Sequence, residues 1–414
     1  MKRVALLATV FTLTGAAAAQ ADPYVVTLQP GADVAGVVRG ARLPAPKLTY
    51  ASALTGFAAD LNGTQVARLL DDPTVVSVEP DVEIQAHGME PLAAGETLTT
   101  DIRRVGAAIP PLVHQAASVG VAVLDSGVDL ANPDLDAVTG TNCVAPGKPA
   151  QDDNGHGTNV AGIIAARNNG KGVVGVAPGT RVYAVKVLNS RAVGTLSQFL
   201  CGIDWVTANA AALNLKVANM SIGGTGADDG SCGSVNKDAE HKAICAATAA
   251  GVTFVVSAGN SGVDFKTTVP AAYGEVLTAT AITDTDGLPG ALGPASCSKK
   301  DLDDRVGSYS NFTVSTAAAA HVVAAPGTCV VSAGLGGKTS TYTGTSQAAP
   351  HVAGAVALCF GSPALPGPCA GLTPSGVIAR VRGDAIAGAS GFLGDPLRPL
   401  TGKVFGPLVS AALY

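Results

Sequence analysis

Beyond residue 100, short continuous apolar runs take turns with stretches of helical spacing, and this alternation restricts the chain to few architectures. The runs at 119–124, 181–188, 216–222 and 252–257 read as strands with no polar face. Helical stretches are predicted to begin near His156, to cover 197–213 around Trp205 and 238–250, and to begin again near Ser346. Strands without a solvated side need cover on both faces, which a parallel sheet between two helical layers provides. The predicted fold class is therefore α/β, a doubly wound, mostly parallel sheet. With 51 glycines and only 4% aromatic residues, tight turns and an aliphatic core follow. No internal repeat is evident.

Ahead of this region, residues 22–86 read as a small α+β unit. Tyr24-Val-Val-Thr-Leu and Gly56-Phe-Ala-Ala-Asp-Leu are predicted strands, 65–71 a short helix, and Val75-Val-Ser-Val-Glu-Pro-Asp a closing strand. The stretch 87–100, rich in Gly, Pro and Ala at its start, reads as an exposed linker, and 101–414 as the large domain. At 414 residues the chain suits this division.

Lys2 and Arg3, the apolar stretch 4–13 and the small-x-small sequence Ala19-Gln-Ala21 form a secretory leader over residues 1–21, cut after Ala21. No later run reaches the roughly 18 apolar residues that a membrane span needs, and no cysteine follows the leader to take a lipid. The expectation is a secreted, extracellular chain without membrane attachment. A net charge of −5 with 14% charged residues leaves no basic stripe for nucleic acid. All eight cysteines, Cys143, Cys201, Cys232, Cys245, Cys297, Cys329, Cys359 and Cys369, lie beyond residue 140. An even number behind a leader, with no CxxC pair and no His/Cys cluster, favours disulfides over a metal centre.

Three segments carry chemistry. Val121-Ala-Val-Leu-Asp125-Ser-Gly ends an apolar strand on a carboxylate, Asn154-Gly-His156-Gly-Thr sets an imidazole between glycines, and Gly344-Thr-Ser346-Gln-Ala-Ala-Pro350-His opens a helix on a hydroxyl. Asp125 is placed to hold His156 Nδ1, which leaves Nε2 to take the Ser346 proton. Amides and dipole at the helix start favour a developing oxyanion. Pro350 removes the amide that would bond the Ser346 carbonyl. Of the other histidines, His351 reads as packed or hydrogen-bonded, while His87, His114, His241 and His321 lie in no recognisable chemical context.

In the order Asp, His, Ser these segments resemble the secreted subtilisin-like serine peptidases, with most likeness to the proteinase K-like group. Gly56-Phe-Ala and Val78-Glu-Pro-Asp similarly resemble the inhibitor propeptide that precedes such enzymes, which implies a cut near Ala86 made by the active site itself. The resemblance implies an endopeptidase acting on protein or peptide substrates through an acyl-enzyme, with its own propeptide as partner in cis and as a monomer. It makes Asn260, in Val255-Val-Ser-Ala-Gly-Asn, the side-chain donor to the oxyanion. Resemblance to cysteine-rich relatives, together with proximity in sequence, pairs 143 with 201, 232 with 245, 297 with 329 and 359 with 369. Asn159 and Gln347 stand where the family most often has His and Met.

Ser221-Ile222-Gly223-Gly224 and Ser257-Ala258-Gly259 read as substrate walls, extended edges with small residues that fit main-chain recognition and broad specificity with a hydrophobic or medium-sized P1 residue. Asp228 and Asp229 read as a solvated loop, the alternative being an acidic pocket for basic residues. No cofactor is expected for catalysis. The loop 167–173 resembles a family segment that wraps a structural calcium, with Lys171 at its centre opposing the cation, and the adjacent Asp152 and Asp153 read as hydrated surface groups. Metal ligands stay unassigned. The same motifs are shared by two other readings, an acyl-transferring ligase and a silent peptide-binding protein.

Overall fold

Alternate side chains of Tyr24-Val-Val-Thr-Leu face opposite ways, and each face meets its own partner. The computed structural model describes residues 21–81, 83–86, 100–109, 112–363, 365–388 and 391–414. The predicted leader and linker lie outside them, apart from Ala21 and Thr100. The N-terminal unit runs β1 (Asp22–Leu28), α1 (Val34–Gly40), β2 (Leu48–Tyr50), β3 (Thr55–Leu61), α2 (Gly63–Leu70) and β4 (Val75–Pro80). Its antiparallel sheet has the order β2-β3-β1-β4. Val26, Leu28, Phe57, Ala59 and Leu61 pack under the two helices with Val37 and Leu69. Val25, Tyr50, Leu54 and Ala58 face the other way and join the core of the large domain. The predicted β, β, α, β order misses α1, which has no side-chain cap, and β2, three residues long. Helix α2 is legible because Asn62 and Gln65 form a capping box.

Past β5 (Glu83–Ala86), the chain forms α3 (Thr100–Arg104) and a small hairpin of β6 (Ala108–Ile109) and β7 (Leu112–Val113). The large sheet follows with β8 (Gly120–Asp125), β9 (Ala137–Asn142), α4 (His156–Ala165), β10 (Val182–Lys186), β11 (Val193–Thr195), α5 (Leu196–Asn209), β12 (Leu215–Met220), β13 (Ile222–Thr225), α6 (Ala239–Ala249) and β14 (Thr253–Ser257). Then come β15 (Thr268–Val269), β16 (Leu277–Thr283), β17 (Arg305–Val306), β18 (Val322–Pro326), β19 (Val330–Ala333), β20 (Thr339–Tyr342), α7 (Thr345–Cys359) and α8 (Pro374–Ala387). The strands β9-β10-β8-β12-β14-β16-β18 lie parallel in that order, and β17 alone pairs antiparallel, with β16.

Val121 and Val123 of β8 enter the core shared with α4 and α7, while Ala122 and Leu124 enter the one shared with α5 and α6. This double burial is why the run carries no polar residue before Asp125. From β8 the chain builds β9 and β10 on one side and the remaining strands on the other. The carboxyl ends of β8 and β12 therefore border the crevice where such sheets bind ligands. The predicted strand 216–222 breaks at Ser221. Beyond Met220 the chain leaves the large sheet, and Ile222 begins β13 in another. The helix predicted over 197–213 ends at Asn209.

All four expected disulfides are present, with Cα–Cα distances of 6.0 Å for Cys143–Cys201, 5.9 Å for Cys232–Cys245, 6.0 Å for Cys297–Cys329 and 5.1 Å for Cys359–Cys369. Among the described residues, no helix is long and apolar enough to cross a membrane.

Candidate active site

Asp125, the last residue of β8, is fully buried and turns its carboxylate to His156, whose Nδ1 lies 2.8 Å from Oδ1 and 2.9 Å from Oδ2. The imidazole sits in the first turn of α4. Gly155 before it has φ +108°, and a Cβ on Gly157 after it would lie 2.0 Å from the Gly127 carbonyl oxygen, so both neighbours must be glycine. The turn entering α4 is tied down by Asp152. Its Oδ1 accepts from Ser126 Oγ at 2.8 Å and from the Asn154 and Gly155 amides at 2.9 Å, and its Oδ2 accepts from Thr158 N at 2.9 Å and Oγ1 at 2.5 Å. Asp152 is thus a buried anchor and not the hydrated surface group expected, because five donors stand in for water. Asp153 pairs with Lys186 Nζ at 2.6 Å.

Burial pushes the His156 pKa down, but the charge and hydrogen bond of Asp125, with the charge of Asp152, outweigh it and hold the imidazole above its ordinary value. His156 Nε2 is buried and has no hydrogen-bond partner among the described residues.

Ser346 is the second residue of α7. Because Pro350 has no amide, the Ser346 carbonyl takes a different donor, Ser221 Oγ at 2.7 Å, while the Ser346 hydroxyl donates to the Ser221 carbonyl at 3.1 Å. This reciprocal pair joins the start of α7 to the residue that follows β12. Asn219 of β12 registers with Val123 of β8, so Ser221 and Asp125 leave neighbouring strands at the same level. Helices α4 and α7 are linked as well, Gln347 Nε2 donating to Asn159 Oδ1 at 3.3 Å. The two residues that differ from the usual family pattern thus bond to each other.

Asn260 Oδ1 accepts from Thr345 N at 2.8 Å and Thr345 Oγ1 at 3.0 Å, which fixes the amide plane. The opposite end, Nδ2, is buried with no partner among the described residues. His351 is hydrogen-bonded on both sides, Nδ1 to the Gln347 carbonyl at 2.8 Å and Nε2 to Asp101 Oδ2 at 2.9 Å. It holds α3 against α7 and lies off the Asp125–His156 pair.

The two expected walls behave differently. Strand β13, which contains Ile222 and Gly223, pairs antiparallel with β5 through Ile222↔Ala86 and Gly223↔Gln85. Among the described residues, no strand ladder joins Ser257, Ala258 and Gly259 to β5. Their backbone is used inward, Ala258 N donating to the Ala279 carbonyl at 3.0 Å and Gly259 N to Thr345 Oγ1 at 3.0 Å. The second edge against β5 is β11, through Val193↔Gln85, Gly194↔Ile84 and Thr195↔Glu83. Sequence reading missed this edge. Its one signal is Gly194, the small residue in a three-residue strand.

Two of the loops also depart from expectation. Asp229 is half-buried with its side chain shielded from solvent, its carboxylate accepting four backbone amides, from Ser231, Gly233, Val235 and Asn236. It is no solvated group, and His241 beside it lies in a charged cluster. In the loop 167–173, Asn169 Nδ2 donates to Asp134 Oδ1 at 2.9 Å, Val173 N to Asp134 Oδ2 at 3.2 Å and Lys171 N to Asn169 Oδ1 at 2.9 Å, so these side-chain oxygens are held by the loop's own donors. Lys171 is exposed.

A strand trapped between two edges, a buried carboxylate–imidazole pair and a hydroxyl at a helix start define a hydrolase-like cleft closed by the chain's own N-terminal unit. The subtilase family model matches residues 116–374 and the peptidase inhibitor I9 model residues 23–87, and the chain belongs to the subtilase family with an N-terminal inhibitor propeptide. It is 41% identical to subtilisin DY of Bacillus licheniformis over 149 residues, 36% of this chain and 50% of that protein. To subtilisin E of Bacillus subtilis it is 34% identical over 233 residues, 54% of this chain and 55% of that protein, and to M-protease of Shouchella clausii 36% over 226 residues, 53% of each. The chain spans about half the length of the curated relatives it matches. A crystal structure of a cold adapted subtilisin-like serine proteinase superposes with a TM-score of 0.57 at 26% identity, covering 76% of this chain and 99% of that one.

Proposed function

We propose that this chain is the zymogen of a secreted serine endopeptidase of broad specificity, monomeric, with a leader over 1–21, a propeptide over 22–86, a linker over 87–100 and a peptidase domain over 101–414. Asp125, His156 and Ser346 are its triad and Asn260 its oxyanion donor. The observation that carries this reading is β5, whose last residue, Ala86, lies opposite Ile222, one residue from the Ser221 carbonyl that accepts the Ser346 hydroxyl. A segment laid beside the nucleophile, added as a strand between two edges, has the posture of a bound substrate.

In the reaction, Asp125 keeps the His156 proton on Nδ1, so Nε2 accepts the Ser346 proton as Oγ attacks the carbonyl carbon. The oxyanion meets Asn260 Nδ2 and the amides at the start of α7. As the tetrahedral centre collapses, the imidazolium protonates the leaving amine, and water then releases the acyl group by the reverse path. Ile222, Gly223 and Gly194 bind substrate backbone, while Ser257, Ala258 and Gly259 carry Asn260 and border the P1 side. A structural calcium is proposed at the loop 167–173, its ligands unassigned and apart from the chemistry.

The test is to express wild type and Ser346→Ala as full chains and compare intact mass and casein hydrolysis. Wild type is expected to shed the propeptide near Ala86 and digest casein, and Ser346→Ala to keep residues 22–86 and stay inert. A Ser346→Ala chain that still processes and digests when purified would overturn the proposal.

A further inference from the structure

The loop that leaves the substrate wall at Thr225 turns back onto α6, where an imidazole faces two carboxylates without bonding either. His241, in the first turn of α6, has its side chain wholly removed from solvent. Its ring stacks on Tyr273 with centroids 4.0 Å apart and planes within 6°, and its Nε2 lies 2.8 Å from Glu275 Oε2. In the neutral ring, Glu275 draws the proton to Nε2 and leaves the lone pair on Nδ1. Nδ1 has no hydrogen-bond partner among the described residues and lies 3.5 Å from Asp229 Oδ1 and 3.6 Å from Asp228 Oδ1.

A lone pair aimed at two carboxylate oxygens is repulsive unless a positive centre lies between them. These separations are too long for hydrogen bonds. They match the spacing of ligand atoms around a tetrahedral ion, since bonds of about 2.1 Å to nitrogen and oxygen put neighbouring ligands about 3.4 Å apart. The carboxylates are held in place beforehand: Asp229 by its four backbone amides and Asp228 by Gly230 N at 2.8 Å. The Cys232–Cys245 disulfide fastens the loop to α6. Glu275 on Nε2 completes the carboxylate–histidine arrangement that orients a metal-bound imidazole. Asp228, one-third exposed, leaves a way in from solvent.

We propose that Asp228, Asp229 and His241 bind one divalent transition cation, zinc by ligand type, with water in the fourth position and Glu275 as the positioning residue. An imidazole nitrogen with only two carboxylates suits zinc better than calcium, which needs six or more oxygens. The ion ties the loop behind the Ile222–Thr225 wall to α6, and where Nδ1 is protonated its binding releases that proton.

The test uses the full chain carrying Ser346→Ala, so that self-digestion plays no part, stripped with chelator and titrated with Co2+ and Zn2+ by calorimetry and visible absorption. One ion per chain is expected, with the intense ligand-field bands of tetrahedral Co2+ bleached by Zn2+. His241→Gln should abolish uptake, and Glu275→Gln should weaken it about 10- to 100-fold. Asp228→Asn keeps the Gly230 hydrogen bond on an exposed side chain, so it reports on binding if His241→Gln fails to fold. It should weaken binding at least about tenfold, whereas Asp286→Asn in the separate Asp284–Asp286–Asp303 group should change nothing. Absence of stoichiometric uptake, binding of Ca2+ in preference to Zn2+, or uptake that survives Asp228→Asn and His241→Gln would overturn the proposal; the first result would leave a proton as the positive centre at Nδ1.

Discussion

At His156, burial and charge oppose each other, and under the proposed function the sign of the outcome governs activity. The raised pKa means that the protonated ring is favoured in the folded state. Its stabilising contribution is present below the ordinary imidazole range and is lost as pH rises through the folded value. Catalysis needs the neutral ring, so the acid limb of kcat/KM against pH should lie above about 6.5, the unperturbed imidazole value. Asp125→Asn removes the charge that raises the pKa and leaves burial to dominate. The limb should then move below that value while kcat falls by about 10⁴-fold, which a pH–rate series on the processed enzyme measures. The proposed triad residues were legible together, as three segments in the order Asp, His, Ser with Gly155, Gly157 and Pro350 as unusual neighbours; Asp125 alone would read as an ordinary strand end. Asp152, Asp229 and His241 were not legible. Five donors make Asp152 a buried anchor and four amides hold the Asp229 carboxylate, and none of these partners has a sequence pattern that differs from an ordinary polar loop.

Helix starts do much of the joining between the two units. At the N-terminus of α5, Asp81 accepts from Ser197 N at 2.5 Å and also from Ser197 Oγ, and at that of α6, Glu79 Oε2 accepts from Ala239 N at 3.4 Å. In the other direction, Asp204 of α5 accepts from the amides of Ala51, Ser52 and Ala53. Carboxylates at helix N-termini meet unpaired amides and the positive end of the dipole. Removing Asp81 leaves the Ser197 amide unpaired at the interface. Asp81→Ala should therefore weaken the hold on the cut propeptide by about 10- to 100-fold, from about 1.5 to 3 kcal/mol for a charged hydrogen bond. Gel filtration after processing measures it as loss of co-elution, and unchanged co-elution would contradict the assignment. Strands β8, β10 and β14 were readable from double burial and helix α2 from its capping box. Strand β11 was not, since three residues that pair only with β5 carry no period of their own.

Across the whole molecule, the Cys143–Cys201 bridge spans 58 residues and fastens the end of β9 to α5. A bridge over such a loop contributes about 2 to 4 kcal/mol, chiefly by restricting the unfolded chain. The double variant Cys143→Ser/Cys201→Ser should lose activity faster on heating. If the proposed peptidase digests its own unfolded chains, the half-life at fixed temperature reads this better than an equilibrium midpoint. By itself the sequence determined the layered α/β architecture, because periodicity and local backbone demands are written in neighbouring residues, while the cysteine pairing and the proposed acid, base and hydroxyl came from resemblance to a family. Only the tertiary structure decided that β5 lies between β11 and β13, that Ser221 takes over the carbonyl freed by Pro350, and that His241 faces two carboxylates. Those contacts join residues up to more than a hundred positions apart, where hydrogen-bond geometry and burial, not chain order, choose the partners.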